Sequence, residues 1–186
     1  MKNFSKFILR LWGWKITGGI PEGVKKAVIV AAPHTSNMDY IIGRLAFFVL
    51  NVNVRFLIKK EAFFWPVGGL VKKWGGIPVD RGRRSNLVSQ VAEQFNKHDS
   101  LYIVITPEGT RKRVNHWKKG FYYVAQKANV PVALCYIDYK TKEGGVGPLV
   151  DLSGNYAEDL KKFREFYQGK HARHPEKFNP DAISPR

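Results

Sequence analysis

A single cysteine, Cys135, excludes an internal disulfide, and its place inside an apolar run makes it a core thiol of a reducing compartment. No uncharged apolar stretch reaches the roughly 20 residues that a membrane-spanning helix needs. The N-terminus has neither the apolar core nor the small-residue cleavage site of a secretory leader. The histidines show no HExxH spacing, and the one close pair, His171 and His174, lies near the C-terminus, so no metal site is expected. There is no Gly-x-Ser-x-Gly elbow and no Walker loop, and GGVGPL at 144–149 lacks the third glycine of a dinucleotide fingerprint. Hydrolysis by a protein serine and hydrolysis of nucleotides both lose their usual machinery. Acid is scarce too: 15 Asp and Glu stand against 31 Lys and Arg, a net charge of +16. That is more than solubility asks of a small domain and implies an anionic partner, whether a membrane surface, a phosphorylated substrate or nucleic acid.

What is present is ample for a packed globule. A hydrophobic fraction of 44% in 186 residues, with 12 Phe, 8 Tyr and 5 Trp, suits one domain with aromatic side chains to spare. The opening stretch KNFSKFILRLWGW gathers Phe4, Phe7, Ile8, Leu11, Trp12 and Trp14 on one helical arc, with Lys2, Lys6 and Arg10 opposite. Two arrangements suit such a helix over residues 1–20: lying in a membrane interface, or packing on the domain's own core. The main domain then runs over 21–168, and 169–186 reads as a loosely ordered basic tail.

Along the main domain, short β-rich runs alternate with helical patterns, the mark of an α/β fold. Strands are expected at 27–32, 54–58, 75–79, 101–105 and 130–139, with a sixth near 146–152 after a turn at EGG. Helices are expected from the TSN cap to Leu50, over 85–96, over 120–128 and around Tyr156 to Tyr167. The fold class is therefore a single α/β domain whose largely parallel mixed sheet is flanked by helices. Three strands run into polar clusters: His34 and Asp39, Asp80 and Arg81, and PEGTR at 107–111. Parallel strands put their carboxyl ends on one edge, where ligands of open α/β sheets bind, so distant segments can meet there.

In APHTSNMDY at 32–40, a regular helix would set His34 and Asp39 about 140° apart, out of reach of each other. Pro33 and Thr35-Ser36-Asn37 favour a turn instead, with His34 in the loop and Asp39 at the mouth of the next helix. A carboxylate there can fix one imidazole nitrogen and leave the other free to take a proton from a hydroxyl. The plain alternative is a capping network in which Asp39 serves the helix and His34 satisfies backbone groups. In TPEGTR, Gly109 allows close approach of a ligand while Thr110 and Arg111 offer a hydroxyl and a cationic fork suited to phosphate. Glu108 and Arg111 could equally form an ion pair that shapes the turn. Arg81, at another strand end, is a second candidate phosphate ligand. The aromatic stretch at 61–74, with Phe63, Phe64, Trp65, Leu70 and Trp74, suits an acyl groove, a bilayer contact or ordinary core.

The ordered set HxxxxD from His34 to Asp39, GGIPVDR ending at Arg81, TPEGTR and WKKGFYYVAQKANVPV resembles the lysophosphatidic acid acyltransferases, a glycerolipid acyltransferase family, in a short bacterial-type form. It covers roughly residues 25 to 140. The resemblance implies transfer of a fatty acyl group from acyl-CoA or acyl carrier protein to a lysophospholipid hydroxyl, with 1-acylglycerol-3-phosphate as the leading acceptor. It implies His34 as general base, Asp39 as its orienter, and Arg81, Glu108, Gly109, Thr110 and Arg111 as the acceptor-binding set. No cofactor and no metal are implied; the partners are the lysophospholipid, the acyl thioester, an anionic membrane surface and acyl carrier protein, with no nucleic acid. The expected location is the cytoplasmic face of the inner membrane, peripheral or monotopic. Two positions depart from the family pattern. Thr106 stands where Phe is usual, and no second proline occurs near Leu134 or Cys135. Both touch the pocket lining more than the base and leave the acceptor open: another lysolipid, such as a lyso-aminolipid, is an alternative. From a different class, a basic module that binds anionic lipid or nucleic acid without catalysis would share the charge but not the motifs.

Overall fold

In KAVIVA at 26–31, five consecutive apolar residues, three of them β-branched, can be buried on both faces only inside a sheet. The computed structural model describes residues 1–64, 66–80 and 84–185, and this strand lies at the middle of a seven-stranded sheet. Chain order is α1 Lys2–Leu11, β1 Lys15–Gly18, β2 Lys26–Ala31, α2 Asn37–Val49, β3 Val54–Lys59, α3 Val67–Lys73 and β4 Gly76–Val79. It continues through α4 Arg84–Asn96, β5 Leu101–Ile105, α5 Gly120–Ala128, β6 Val132–Asp138, β7 Glu143–Val150 and α6 Tyr156–Tyr167.

The strand order is β1-β7-β6-β2-β5-β3-β4. Strands β2 to β6 are mutually parallel, β7 runs antiparallel to β6, and β1 pairs parallel with β7. The carboxyl ends of β2, β4, β5 and β6 therefore share one edge, as the sequence implies. Side chains of β2 alternate between two layers. Val28 and Val30 meet Phe95, Phe121, Phe163 and Tyr167 from α4, α5 and α6, while Ile29 faces Phe47 of α2 on the other side. No described helix is long and apolar enough to cross a membrane.

Three expectations are corrected. The N-terminal helix stops at Leu11, short of residue 20, and KITG at 15–18 joins the main sheet as β1. Gly13 ends the helix in a left-handed conformation, φ 77°, which glycine adopts at no steric cost. The EGG stretch is not a turn: β7 starts at Glu143, and Gly145 lies so close to Thr17 of β1 that a Cβ would collide with the Thr17 carbonyl.

The third correction concerns the C-terminal segment, which is packed rather than loose. Ala172, Phe178, Ala182 and Ile183 are buried in the larger core. The Trp117 backbone N–H donates to the Ala182 carbonyl at 3.1 Å, and Arg113 Nη1 donates to the Phe178 carbonyl at 3.2 Å. Arg164 binds Asp181 at 2.6 Å. Scattered apolar anchors and backbone partners hold this strap, so it needs no helical or strand periodicity. Replacing Ile183, 1% exposed, with alanine should cost about 2–4 kcal/mol in urea denaturation. A loss below about 0.5 kcal/mol would contradict a strap integral to the core.

Candidate active site

Strand β2 ends at Ala31, and the chain turns through a cis Ala32–Pro33 bond into His34. Ser36 is the N-cap of α2: its Oγ accepts the Met38 N–H at 3.1 Å, and Asp39, at the third helical position, completes a capping box. Asp39 Oδ2 accepts the N–H of Thr35 at 2.7 Å and of Ser36 at 2.8 Å. The same oxygen lies 3.6 Å from His34 Nδ1, a loose contact of the kind that tightens when a site is filled. Asp39 Oδ1 accepts the Tyr139 hydroxyl at 2.7 Å. The carboxylate that caps α2 is thus also the one beside the imidazole, and the two sequence readings describe one arrangement.

Asp39 is 6% exposed. Burial by itself pushes its pKa up, but the His34 ring, the Tyr139 hydroxyl and the Ser36 and Thr35 amides outweigh it and hold the carboxyl below its ordinary value. Glu108 goes the other way. It is 4% exposed at the end of β5, and its Oε2 accepts the His34 N–H at 2.8 Å. Burial, opposed by that N–H and reinforced by the Asp39 charge, pushes it up to about 8. Two neighbouring carboxyls are therefore split, Asp39 ionised and Glu108 protonated at neutral pH. Glu108 braces the backbone of the histidine loop from below.

The rest of TPEGTR lies outside that brace. Gly109 has φ 66°, and a side chain there would meet the Lys118 ammonium, which lies over it. Thr110 Oγ1 accepts the Lys112 N–H at 3.3 Å, and Arg111 is exposed. Among the described residues Glu108 and Arg111 form no ion pair. Arg81 and Trp65 lie outside the described residues. No group of residues suited to hold a metal occurs among those described.

Beside His34 an apolar cavity of about 340 Å³ runs between α2 and the sheet. Small residues make the room: Ala31, Cys135 and Gly145 on the sheet face Gly43 and Ala46 on α2, while Asp39 and Tyr40 stand with His34 in the wall. The two departures from the family pattern both bear on this wall. Thr106 lines it, and so does Cys135, whereas Leu134 points into the opposite core. The described lining of the cavity comes mainly from α2 and the strands. Phe64 and Trp74 are exposed.

Residues 15–138 match the family model described as Acyltransferase. The chain belongs to the acyltransferase family. A curated relative, 1-acyl-sn-glycerol-3-phosphate acyltransferase epsilon of Mus musculus, is 30% identical over 107 residues, covering 54% of this chain. The chain spans 29% of the length of that mouse protein. The crystal structure of the 1-acyl-sn-glycerophosphate (LPA) acyltransferase PlsC from Thermotoga maritima shares the fold. Its TM-score is 0.59 at 19% identity, over 89% of this chain and 73% of that one. The family assignment agrees with the motif order read from the sequence. Tyr139 is the site residue that sequence reading passed over: it lies one residue past the family match, and no spacing links it to Asp39.

Because Glu108 is protonated in the fold up to about pH 8 but ionises near pH 4.5 when unfolded, its contribution to stability is fullest at acid pH. That contribution is lost as pH rises through about 8, by at most roughly 1.4 kcal/mol per pH unit. Glu108→Gln removes the titration, so urea denaturation at pH 5, 6.5 and 8 should show the variant gaining on the wild type as pH rises. Parallel stability curves would contradict the buried neutral carboxyl.

Proposed function

We propose that the protein transfers a fatty acyl group from a thioester donor, coenzyme A or acyl carrier protein, to the hydroxyl of a lysophospholipid, with 1-acylglycerol-3-phosphate as the preferred acceptor. The observation that carries this is the placement of His34, backed by an ionised Asp39, in the wall of a 340 Å³ apolar cavity. A long acyl chain suits that cavity, and its carbonyl then lies beside the imidazole. With Nδ1 turned to Asp39, Nε2 takes the proton from the acceptor hydroxyl as its oxygen bonds to the thioester carbon. The tetrahedral intermediate collapses, the carbon–sulfur bond breaks, and the proton passes from Nε2 to the departing thiolate. No acyl group is held on the protein, and the gain comes from bringing base, hydroxyl and thioester together. In this reading Arg111, Gly109 and Thr110, with Arg81, hold the acceptor phosphate, and Glu108 contributes by holding the loop rather than by direct contact.

In the same reading the protein works at a membrane surface. On α1, Ser5 and Leu9 are buried against the domain, whereas Phe4, Phe7 and Leu11 are 61%, 65% and 70% exposed, flanked by the cations Lys2, Lys6 and Arg10. An uncovered apolar arc edged with positive charge suits a helix lying among anionic headgroups. Changing Phe4, Phe7 and Leu11 together to serine should weaken binding to anionic vesicles at least tenfold with the melting temperature unchanged. Unchanged vesicle binding would remove α1 from the membrane contact.

Acyl transfer from acyl-CoA and from acyl carrier protein to lysophosphatidic acid in mixed micelles tests the central reading. Phosphatidic acid is the expected product, and folded His34→Ala should lose roughly 10²- to 10⁴-fold in kcat. No product from either donor, with lysophosphatidic acid or with other lysolipids, would overturn it.

A further inference from the structure

Part of the grip on Asp39 comes from segments that the family match does not include. Residue 139 lies just beyond the matched segment, at the carboxyl end of β6, and its hydroxyl donates to Asp39 Oδ1 at 2.7 Å. Trp14, between α1 and β1, packs edge-on against the Tyr139 ring with centroids 5.1 Å apart. The Tyr139 N–H donates to the His171 carbonyl at 2.8 Å, so the C-terminal strap holds the same residue from the other side. His171 Nδ1 in turn meets Asp138 Oδ2 at 3.2 Å, while Asp138 Oδ1 accepts the Lys140 N–H at 2.9 Å. The turn that carries Tyr139 is therefore fixed at several points, and the strap reaches the histidine loop itself, where the His174 N–H donates to Thr35 Oγ1 at 3.3 Å.

Three groups compete for Asp39 Oδ2: the Thr35 and Ser36 amides and the His34 ring. The carboxylate torsion is a broad sp³–sp² one, so the contacts around it set its angle, and on Oδ2 the two amides share the oxygen with the imidazole. The Tyr139 hydroxyl adds a hydrogen bond on Oδ1, so the carboxylate is held through both oxygens. We propose that Tyr139 is a positioning residue for acyl transfer, holding the Asp39 carboxylate so that Oδ2 stays turned to His34. This deepens the reading of His34 as general base and rests on it.

The groups that face Asp39 define what its titration reports. They are His34 after β2, Glu108 after β5 and Tyr139 after β6, with the Arg173 guanidinium of the strap against the Tyr139 hydroxyl. The α1 helix packs on α2 through Ser5 and Leu9 and keeps Lys2, Lys6 and Arg10 exposed.

Tyr139→Phe keeps the ring against Trp14 and the backbone bond to His171, and removes only the hydroxyl. Two readouts apply to the full chain. In carboxyl ¹³C NMR with labelled aspartate, Asp39 being assigned by its loss in Asp39→Asn, the midpoint of Asp39 should rise in the variant. In acyl-CoA transfer to lysophosphatidic acid, kcat should fall about tenfold while KM for both substrates stays within about twofold. An unmoved midpoint overturns the proposal, and so does an undiminished kcat, even if the melting temperature drops. If the wild type transfers no acyl group, the functional reading fails on its own account. The titration then decides the grip alone: a risen midpoint supports it and an unmoved one overturns it.

Discussion

One carboxylate carries four obligations. Asp39 receives two backbone N–H groups that would otherwise be orphaned at the start of α2, a phenol from beyond β6, and the imidazole of His34. In a site this dry an unpaired carboxylate would be protonated or expelled. Satisfied on all sides it stays ionised and immobile, and both properties are what a histidine base needs from its partner. Capping is therefore the means by which the carboxylate is placed beside His34, because the first turn of a helix supplies a rigid frame with a partial positive charge. Glu108, buried nearby without such a set of donors, takes the opposite protonation state and serves the loop as a neutral brace.

The cavity beside His34 follows from the same helix. Once the capping box sets where α2 begins, Gly43 and Ala46 fall opposite Ala31, Cys135 and Gly145, and two facing rows of small side chains leave a void that close packing would normally fill. Thr106 adds to it where the family usually carries the larger Phe. Gly145 is constrained twice, since the approach of β1 also forbids a side chain there.

Much of this was legible in the sequence because it rests on local rules. The β2–loop–α2 unit announces itself through KAVIVA, a proline and a run of capping residues, and the parallel order of strands follows from alternation with helices. That His34, Glu108 and Asp80 share an edge follows from parallelism alone. What escaped depends on tertiary pairing. β1 is four residues long with one large apolar side chain and exists only because β7 offers an edge. The strap reads as polar, yet Phe178 and Ile183 are enough to anchor it when Ala182 and Val114 supply backbone acceptors. Tyr139 looks like the end of a strand until the fold brings it to Asp39, a separation of 100 residues.

The claim on which the account turns is that Asp39 fixes the imidazole with Nδ1 protonated and Nε2 bare. The ¹⁵N–¹H spectrum of the His34 ring, in its neutral form and assigned with His34→Gln, reports this directly. The proton is expected on Nδ1 in the wild type, with that preference lost in Asp39→Asn. A neutral ring protonated on Nε2 in the wild type would contradict it, because the nitrogen facing the cavity would then have no lone pair with which to accept the proton of a hydroxyl.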